Sequence, residues 1–324
     1  MSPPLLQIRG LSVTYRTEGG DLPAVREVDL DVGAGETVGV AGESGCGKST
    51  LASTVLRLQA RSASVQGQVL VDGEDVQTMA WGALRAVRWA GASIVFQGAL
   101  HSLNPVQRVG AQIAEPIRLH DPGRARDSLD ERVAALLEQV GLPASRAPMY
   151  PHQLSGGQRQ RVMIAMALAC RPRLIIADEP TTALDVMVQA QVLDLLSGLV
   201  AEFGVGLLLI SHDLSVLSAT CDRVVVMYAG RIVEHGPADG VFDAAAHPYS
   251  RALAAAFPRV GDPAARYAPA GLRGDPPDLR SLPAGCSFRP RCPREVAACA
   301  DAEPPLIEVA AQRSAACIRP ETAR

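Results

Sequence analysis

The chain has 324 residues, 48% of them apolar and 20% charged, with a formal net charge of −3, enough for two domains or one large domain with an appendage. That balance gives no reason to expect a nucleic-acid partner, and aromatic residues at 4% are too scarce for a base-stacking platform. The longest clean apolar run, Val162 to Cys170, falls far short of the 18 or more residues of a spanning helix, and the opening MSPPLLQIRG has no apolar h-region. A cytoplasmic chain is therefore expected, with any membrane role running through a partner.

In chain order, the first clear element is a strand, Thr37-Val-Gly-Val-Ala41. Its near-continuous apolar character suits a parallel sheet covered on both faces. It runs into Gly42-Glu-Ser-Gly-Cys-Gly47-Lys48-Ser49, which matches G-x-x-x-x-G-K-[ST]. The glycines let the backbone curl so that its N–H groups face phosphate oxygens. The candidate nucleotide contacts here are Gly42, Ser44, Gly45, Cys46, Gly47, Lys48, Ser49 and Thr50. Lys48 is expected to reach the β- and γ-phosphates and Ser49 to hold Mg²⁺. A helix from about Ser49 to Leu58 should follow and add its N-terminal dipole. Cys46 reads as a small loop residue.

The stretch from about 98 to 160 reads as mostly helical. Ser128-Leu-Asp-Glu131 has the capping-box pattern, Leu129, Val133, Leu136, Leu137 and Val140 recur at helical spacing, and Gly141 closes the helix. Leu154-Ser155-Gly156-Gly157-Gln158 then sets a hydroxyl and bare glycine amides at the start of a helix expected from Gln158 to about Ala169, a second element suited to gripping phosphate. The strand Leu174–Ala177 ends in Asp178-Glu179, at the sheet edge where ligands gather. Asp178 is expected to hold Mg²⁺ through water and Glu179 to act as general base on the attacking water. Leu207–Ile210 is a further strand, and the alternation of buried strands with helices predicts an α/β fold. No internal repeat is visible.

Composition shifts after Phe257. From Pro258 onward lie 11 of the 24 prolines and four of the seven cysteines. Such a segment is expected not to continue a helix-and-sheet core, so a boundary is placed near residue 258, dividing the chain into 1–257 and 258–324. In a reducing compartment Cys286, Cys292, Cys299 and Cys317 suggest metal before disulfides. No pair has the C-x₂₋₄-C spacing of a zinc knuckle. The longer gaps, with proline after the second cysteine, are compatible with a four-cysteine iron–sulfur cluster, with zinc or free thiols left open. Arg289, Arg291 and Arg294 would offset the charge of ligating thiolates.

With Leu154-Ser-Gly-Gly-Gln158 following the phosphate loop, the chain resembles the ABC ATPases over essentially its whole length. The resemblance implies a P-loop NTPase fold of the ABC type: a RecA-like parallel-sheet core, an N-terminal antiparallel β part, a helical subdomain at about 98–160 and a small cysteine-containing C-terminal extension. It implies that Tyr15 stacks on adenine, that Gln97 senses Mg²⁺ and the γ-phosphate, and that His212 contacts the γ-phosphate and orients water. Ala183-Leu184-Asp185 would communicate across a dimer. Ser155, Gly156, Gly157, Gln158 and Asp185 would then serve the nucleotide of a second ATPase subunit, two ATP molecules being sandwiched between the pair.

One branch is especially similar: importers of dipeptides and oligopeptides, which include nickel importers. The stretches Tyr150-Pro-His-Gln through Ala167, Asp178-Glu-Pro-Thr-Thr through Val186, and His247-Pro-Tyr-Ser-Arg-Ala-Leu253 carry that similarity. Thr181-Thr182 with Val162–Met166 resembles the first of two paralogous ATPase subunits, whereas Gln158 is more usual in the second. After Gln97 the chain reads Gly98-Ala-Leu-His-Ser-Leu-Asn-Pro105 where many relatives have Asp-Pro, in a loop that faces the membrane partner. The branch implies two transmembrane permease subunits, a second ATPase, indirect contact with an extracytoplasmic binding protein, and residence at the cytoplasmic face of the cell membrane. It also implies a [4Fe–4S] cluster on the four cysteines, with Zn²⁺ as the alternative. The expected activity is ATP hydrolysis that powers peptide import. Nickel or another solute is the alternative cargo, since specificity lies outside such a chain. A soluble ATPase of translation or DNA repair fits less well, because there is one cassette and no sustained heptad. Glu179 and His212 speak against an inactive cassette.

Overall fold

The computed structural model describes residues 3–98, 102–121, 126–182, 184–257 and 271–321. The boundary expected at residue 258, Ala183, and residues 99–101 of the departing loop lie outside them. In chain order the elements begin with β1 (Leu6–Thr17), β2 (Gly20–Val32), β3 (Thr37–Ala41), α1 (Lys48–Val55), β4 (Ala63–Val71), β5 (Glu74–Asp75), α2 (Trp81–Ala90) and β6 (Ala92–Val95). Then come α3 (Val109–His120), α4 (Arg126–Gln139), α5 (Gly156–Leu168), β7 (Leu174–Asp178), α6 (Val186–Phe203) and β8 (Gly206–Ser211). The chain continues through α7 (Leu214–Thr220), β9 (Arg223–Tyr228), β10 (Arg231–Pro237), α8 (Ala238–Asp243), α9 (Pro248–Ala256), β11 (Ile307–Ala310) and β12 (Arg313–Ala315). They form two compact units that do not follow chain order. One comprises the N-terminal residues through Leu6, Val32–Glu36 and Leu70–Leu208; the other comprises Gln7–Asp31, Thr37–Val69 and Leu209 onward.

In the first unit β6 and β7 pair in parallel, Ala92 opposite Leu174 through Val95 opposite Ala177, and the first half of β8 lies next to β7. β7 is buried along its whole length, as its apolar run predicts. The middle of the chain is helical, and the helix bearing the glycines continues to Leu168. Ile113 of α3, Leu136 and Leu137 of α4 and Ile164 of α5 are fully buried where the three helices pack together. Each such side chain contributes about 1.5–3 kcal/mol by burial. The capping box expected at Ser128 is not formed: α4 starts at Arg126, so Ser128 falls inside its first turn. A Ser-x-x-Glu pattern also fits helical i, i+3 spacing, and the residues before it continue the helix. Gly141 closes the helix as expected, with φ 73° and Leu142 N–H donating to the Leu137 carbonyl. Among the described residues one helix, α6, is long and apolar enough to cross a membrane by length and composition. Its buried positions Val192, Leu196, Leu199 and Val200 share one stripe, the pattern of a helix packed along one face.

In the second unit, β2-β1-β4 form one sheet and β11-β12-β10-β9-β3, with the second half of β8, form the other. β3 and β9 pair in parallel, Val38 opposite Arg223 through Ala41 opposite Val226. β10 returns antiparallel to β9 and pairs in turn with β12, Glu234 opposite Ala315. The cysteine-rich segment thus contributes two strands to a sheet it was not expected to continue. The reason is local: no proline lies between Pro305 and Pro320, so the backbone there keeps its donors. Glu234, fully buried, accepts from Ala246 N–H, His247 N–H and Arg313 at 2.8, 2.9 and 3.1 Å, so that the last strands are fixed through a charged group with its bonds satisfied.

Candidate functional site

In the second unit β3 delivers the chain into the glycine-rich loop and α1 carries it away. The loop needs bare backbone at two places. Gly42 has φ 151° and Gly47 φ 108°. A Cβ on Gly47 would lie 2.2 Å from the Ala24 carbonyl oxygen, and one on Gly42 2.4 Å from that of Met227, closer than any side chain tolerates. Lys48 is buried, and its Nζ donates to the Gly42 and Glu43 carbonyls at 2.7 and 2.9 Å, which holds the ammonium over the loop. Ser44, Gly45 and Ser49 are exposed along its rim. The helix ends at Val55, earlier than the sequence suggests, because Arg57 turns left-handed at φ 51°. Tyr15, on β1, places its hydroxyl 3.4 Å from Thr50 Oγ1. Cys46 is buried, and burial pushes its thiol pKa up despite the neighbouring Lys48; that fits a packed loop residue. His212 is exposed just beyond β8, edge-on to Phe257 with 5.7 Å between ring centroids. Asp213 caps α7, accepting from Ser215 and Val216 N–H.

In the first unit Asp178 ends β7 and is buried. Glu179 turns the chain in the left-handed region, φ 45°, an arrangement a non-glycine residue adopts only when its surroundings enforce it. Its Oε2 accepts from Gln97 Nε2 at 2.8 Å and Thr182 Oγ1 at 2.9 Å. Gln97 and Glu179, 82 positions apart, are brought together by this bond. Thr182 was missed; its one signal was a hydroxyl three residues after a carboxylate at a turn. Ser155 and Gln158 form a capping box: Ser155 Oγ accepts from Gln158 N–H at 3.3 Å, and Gln158 Oε1 from Ser155 N–H at 3.1 Å. The cap explains why α5 starts at Gly156 instead of Gln158. Asp185 caps α6 through Val188 N–H at 3.0 Å. The two helix starts meet closely. A Cβ on Gly157 would come within 2.5 Å of Val188 Cγ1, while Gly156 lies against Leu184.

The four C-terminal cysteines, all free and half-buried, line one small pocket with His247, Phe288 and Ile318. Burial raises the thiol pKa of Cys286, Cys292 and Cys317, and the neighbouring cysteines add to it. The backbone N–H groups of Phe288, Arg294 and Arg319, each two residues beyond a cysteine, act in the opposite sense by donating to the three sulfurs. Among the described residues no three His, Cys, Asp or Glu side chains gather tightly enough to hold a single metal ion. The arginines expected to offset thiolate charge are each paired with a carboxylate: Arg289 with Glu295, Arg294 with Glu321, and Arg291 with Glu43. Arg294 also acts on the thiols, favouring the thiolates of Cys292 and Cys317. Glu43 was not singled out from the sequence.

Comparison with known proteins gives concordant results. A family model described as "ABC transporter" matches residues 25–182, and one described as "Oligopeptide/dipeptide transporter, C-terminal region" matches residues 233–299. The chain is 46% identical to a putative peptide import ATP-binding protein of Brucella ovis, over 98% of this chain and 97% of that one. It is 44% identical to the oligopeptide transport ATP-binding protein OppD of Salmonella typhimurium, over 98% and 94%. Among solved structures it is similar to the ATP-binding cassette MJ0796, in a dimeric post-hydrolysis state bound to ADP and Pi, with TM-score 0.66, 28% identity, and coverage of 72% of this chain and 98% of that one. The cbiO1 subunit of Clostridium perfringens, part of the transporter complex cbiONQ, matches with TM-score 0.63 and 28% identity, over 75% and 92%.

Proposed function

The chain belongs to the ABC transporter family of ATP-binding proteins, and from that premise we propose that it is the ATP-hydrolysing subunit that powers peptide import across the cytoplasmic membrane. The observation that carries this reading is the presence, on one chain, of a phosphate loop with its lysine held over it and of the C-terminal region typical of oligopeptide and dipeptide transporters. Functionally the chain divides into an ATPase cassette, 1–257, whose helical subdomain spans about 98–160, and an extension, 258–324.

Lys48 and the loop from Gly42 through Thr50 hold the phosphates, and Tyr15 stacks on adenine. Ser49, Gln97 and Asp178 would hold Mg²⁺, which would draw charge from the transferred phosphate. Glu179 is the general base. Its donors Gln97 and Thr182 support that role by fixing one carboxylate oxygen. His212 contacts the γ-phosphate. Ser155, Gly156, Gly157, Gln158 and Asp185 serve the nucleotide of a second, paralogous cassette. In support, Val186 and Met187, next to Asp185, are 69% and 71% exposed, apolar surface that a partner would cover. The chain sits on the cytoplasmic face against two permeases, and exposed Trp81, Val106 and Leu119 suit that docking. ATP binding closes the cassettes, the motion switches the permeases, and hydrolysis reopens the pair. The peptide is delivered by an extracytoplasmic binding protein and does not touch this chain.

The four cysteines would hold a [4Fe–4S] cluster, which would supply a rigid, charged centre for the extension. In support, three sulfurs accept backbone N–H bonds of the kind that stabilise ligating thiolates, and the four thiols share one pocket.

The test is uptake by the reconstituted transporter. Vesicles carrying the permeases, both ATPases and the binding protein should accumulate a labelled peptide with ATP, and lose uptake with Lys48→Ala. Nickel uptake without peptide uptake would overturn the cargo assignment.

A further inference from the structure

We propose that Arg291, supplied by the cysteine-rich segment, is a positioning residue of the phosphate loop: it neutralises Glu43 and thereby lets the loop accept a nucleoside triphosphate. This rests on the reading of Gly42–Ser49 as the nucleotide site. The starting point is a chemical conflict within the loop. Glu43 sets a carboxylate directly after Gly42, in a segment whose backbone is shaped to gather phosphate anions. An uncompensated carboxylate there repels the ligand.

Arg291 meets that carboxylate in a two-pronged pair, Nη1 to Oε2 at 2.6 Å and Nη2 to Oε1 at 2.9 Å. The side chains are 6% and 19% exposed, so the pair is largely shielded from water and its charges are strongly felt. The guanidinium is held on every side. Nε donates to the Arg273 carbonyl at 2.7 Å, Nη2 to that of Gly274 at 3.1 Å and Nη1 to the Tyr228 hydroxyl at 3.4 Å. Its carbon lies 5.8 Å from the Tyr228 ring centroid and 5.9 Å from that of Phe288, distances at which the ring faces attract a cation. Glu43 is bound to the loop machinery from its other side. Its N–H donates to the Tyr249 hydroxyl at 2.8 Å, and its carbonyl accepts from Lys48 Nζ at 2.9 Å. A continuous set of bonds therefore links Arg291 to the loop lysine. Phe288 anchors the arginine's segment, packed with Tyr228, Tyr249 and His247 at centroid distances of 5.2, 5.4 and 5.9 Å. Arg291 also sits between Cys286 and Cys292, so the shape of the cysteine segment sets where the guanidinium stands.

The experiment measures ATP affinity and steady-state hydrolysis by the full transporter complex carrying Arg291→Gln, Glu43→Gln, both together, or Lys48→Ala. Removing the arginine leaves a half-buried carboxylate without its cation. Arg291→Gln should therefore raise the KM for ATP by about tenfold or more, with kcat changed by less than about threefold. Adding Glu43→Gln should bring KM back to within about threefold of the unmodified complex, because the charge needing compensation is gone. The ratio of KM between Arg291→Gln and the unmodified complex should shrink as salt is raised. A packing role would produce neither the rescue nor that salt dependence. If Arg291→Gln does not fold, recovery of a folded, nucleotide-binding double variant supports the proposal equally, and failure of both to fold overturns it. It is also overturned by unchanged KM in Arg291→Gln, or by a double variant as weak as the single. Equal ATP binding by the unmodified complex and by Lys48→Ala would instead sink the nucleotide-site reading itself.

Discussion

Single residues of the site are held by bonds that a motif does not display. Glu179 turns in a left-handed conformation with one carboxylate oxygen gripped by Gln97 and Thr182. If it takes the proton of the attacking water, Glu179→Gln should lower the rate of phosphate release by about 10²- to 10⁴-fold while ATP affinity is kept. Thr182→Ala should cause a smaller loss in kcat at unchanged KM, on the order of tenfold, because Gln97 still orients the carboxylate. Gly47 is limited by backbone. Its φ is 108°, and a methyl group added there would stand 2.2 Å from the Ala24 carbonyl oxygen. Gly47→Ala should therefore abolish ATP binding and lower the unfolding free energy by about 1–3 kcal/mol, as nucleotide titration and denaturant melts would record.

At the scale of elements, helix starts carry much of the local specification. Ser155, Asp185, Asp213 and His247 each cap the helix that follows through a side-chain bond to its first turn. His247 is the unusual member, because it is fully buried and burial pulls its pKa down to about 4. Its Nδ1 accepts from Tyr249 N–H at 3.0 Å, a bond only the neutral imidazole can accept in. The folded pKa lies below the ordinary value of 6.5, so the folded protein binds fewer protons than the unfolded chain between those limits. Its contribution is intact above pH 6.5 and is lost as pH falls toward 4. Melting temperatures should decline across that window, and His247→Asn, which keeps a capping acceptor but cannot titrate, should flatten that part of the decline.

At the scale of the whole molecule, several charged contacts tie the extension to the rest of the second unit, and two of them differ in character. Glu234, fully buried, takes Arg313 together with two backbone N–H groups. Arg313→Ala leaves that carboxylate without its cation, and unfolding should become easier by about 3–5 kcal/mol in a denaturant titration. The second contact, Arg291 with Glu43, reaches the phosphate loop itself. The cysteine pocket lies in this same segment, and anaerobically purified protein should contain iron and acid-labile sulfide. Zinc without iron would refute the cluster assignment.

Local chemistry was legible because it is written in short, contiguous patterns. The phosphate loop, the buried strands at 37–41, 174–178 and 206–211, and the serine–glycine helix start all depend on neighbours a few positions apart. So the sequence by itself determined the fold class, the ATPase family and the candidate nucleotide residues. What only the tertiary structure decided are pairings over long separations: Gln97 with Glu179, β10 with β12, and Arg291 with Glu43. Arg291 read as an arginine for the thiolates because Cys286 and Cys292 flank it in sequence. The fold sets the half-buried Glu43 carboxylate against it, and a charge shielded from water must be answered by whichever opposite charge the packing places beside it.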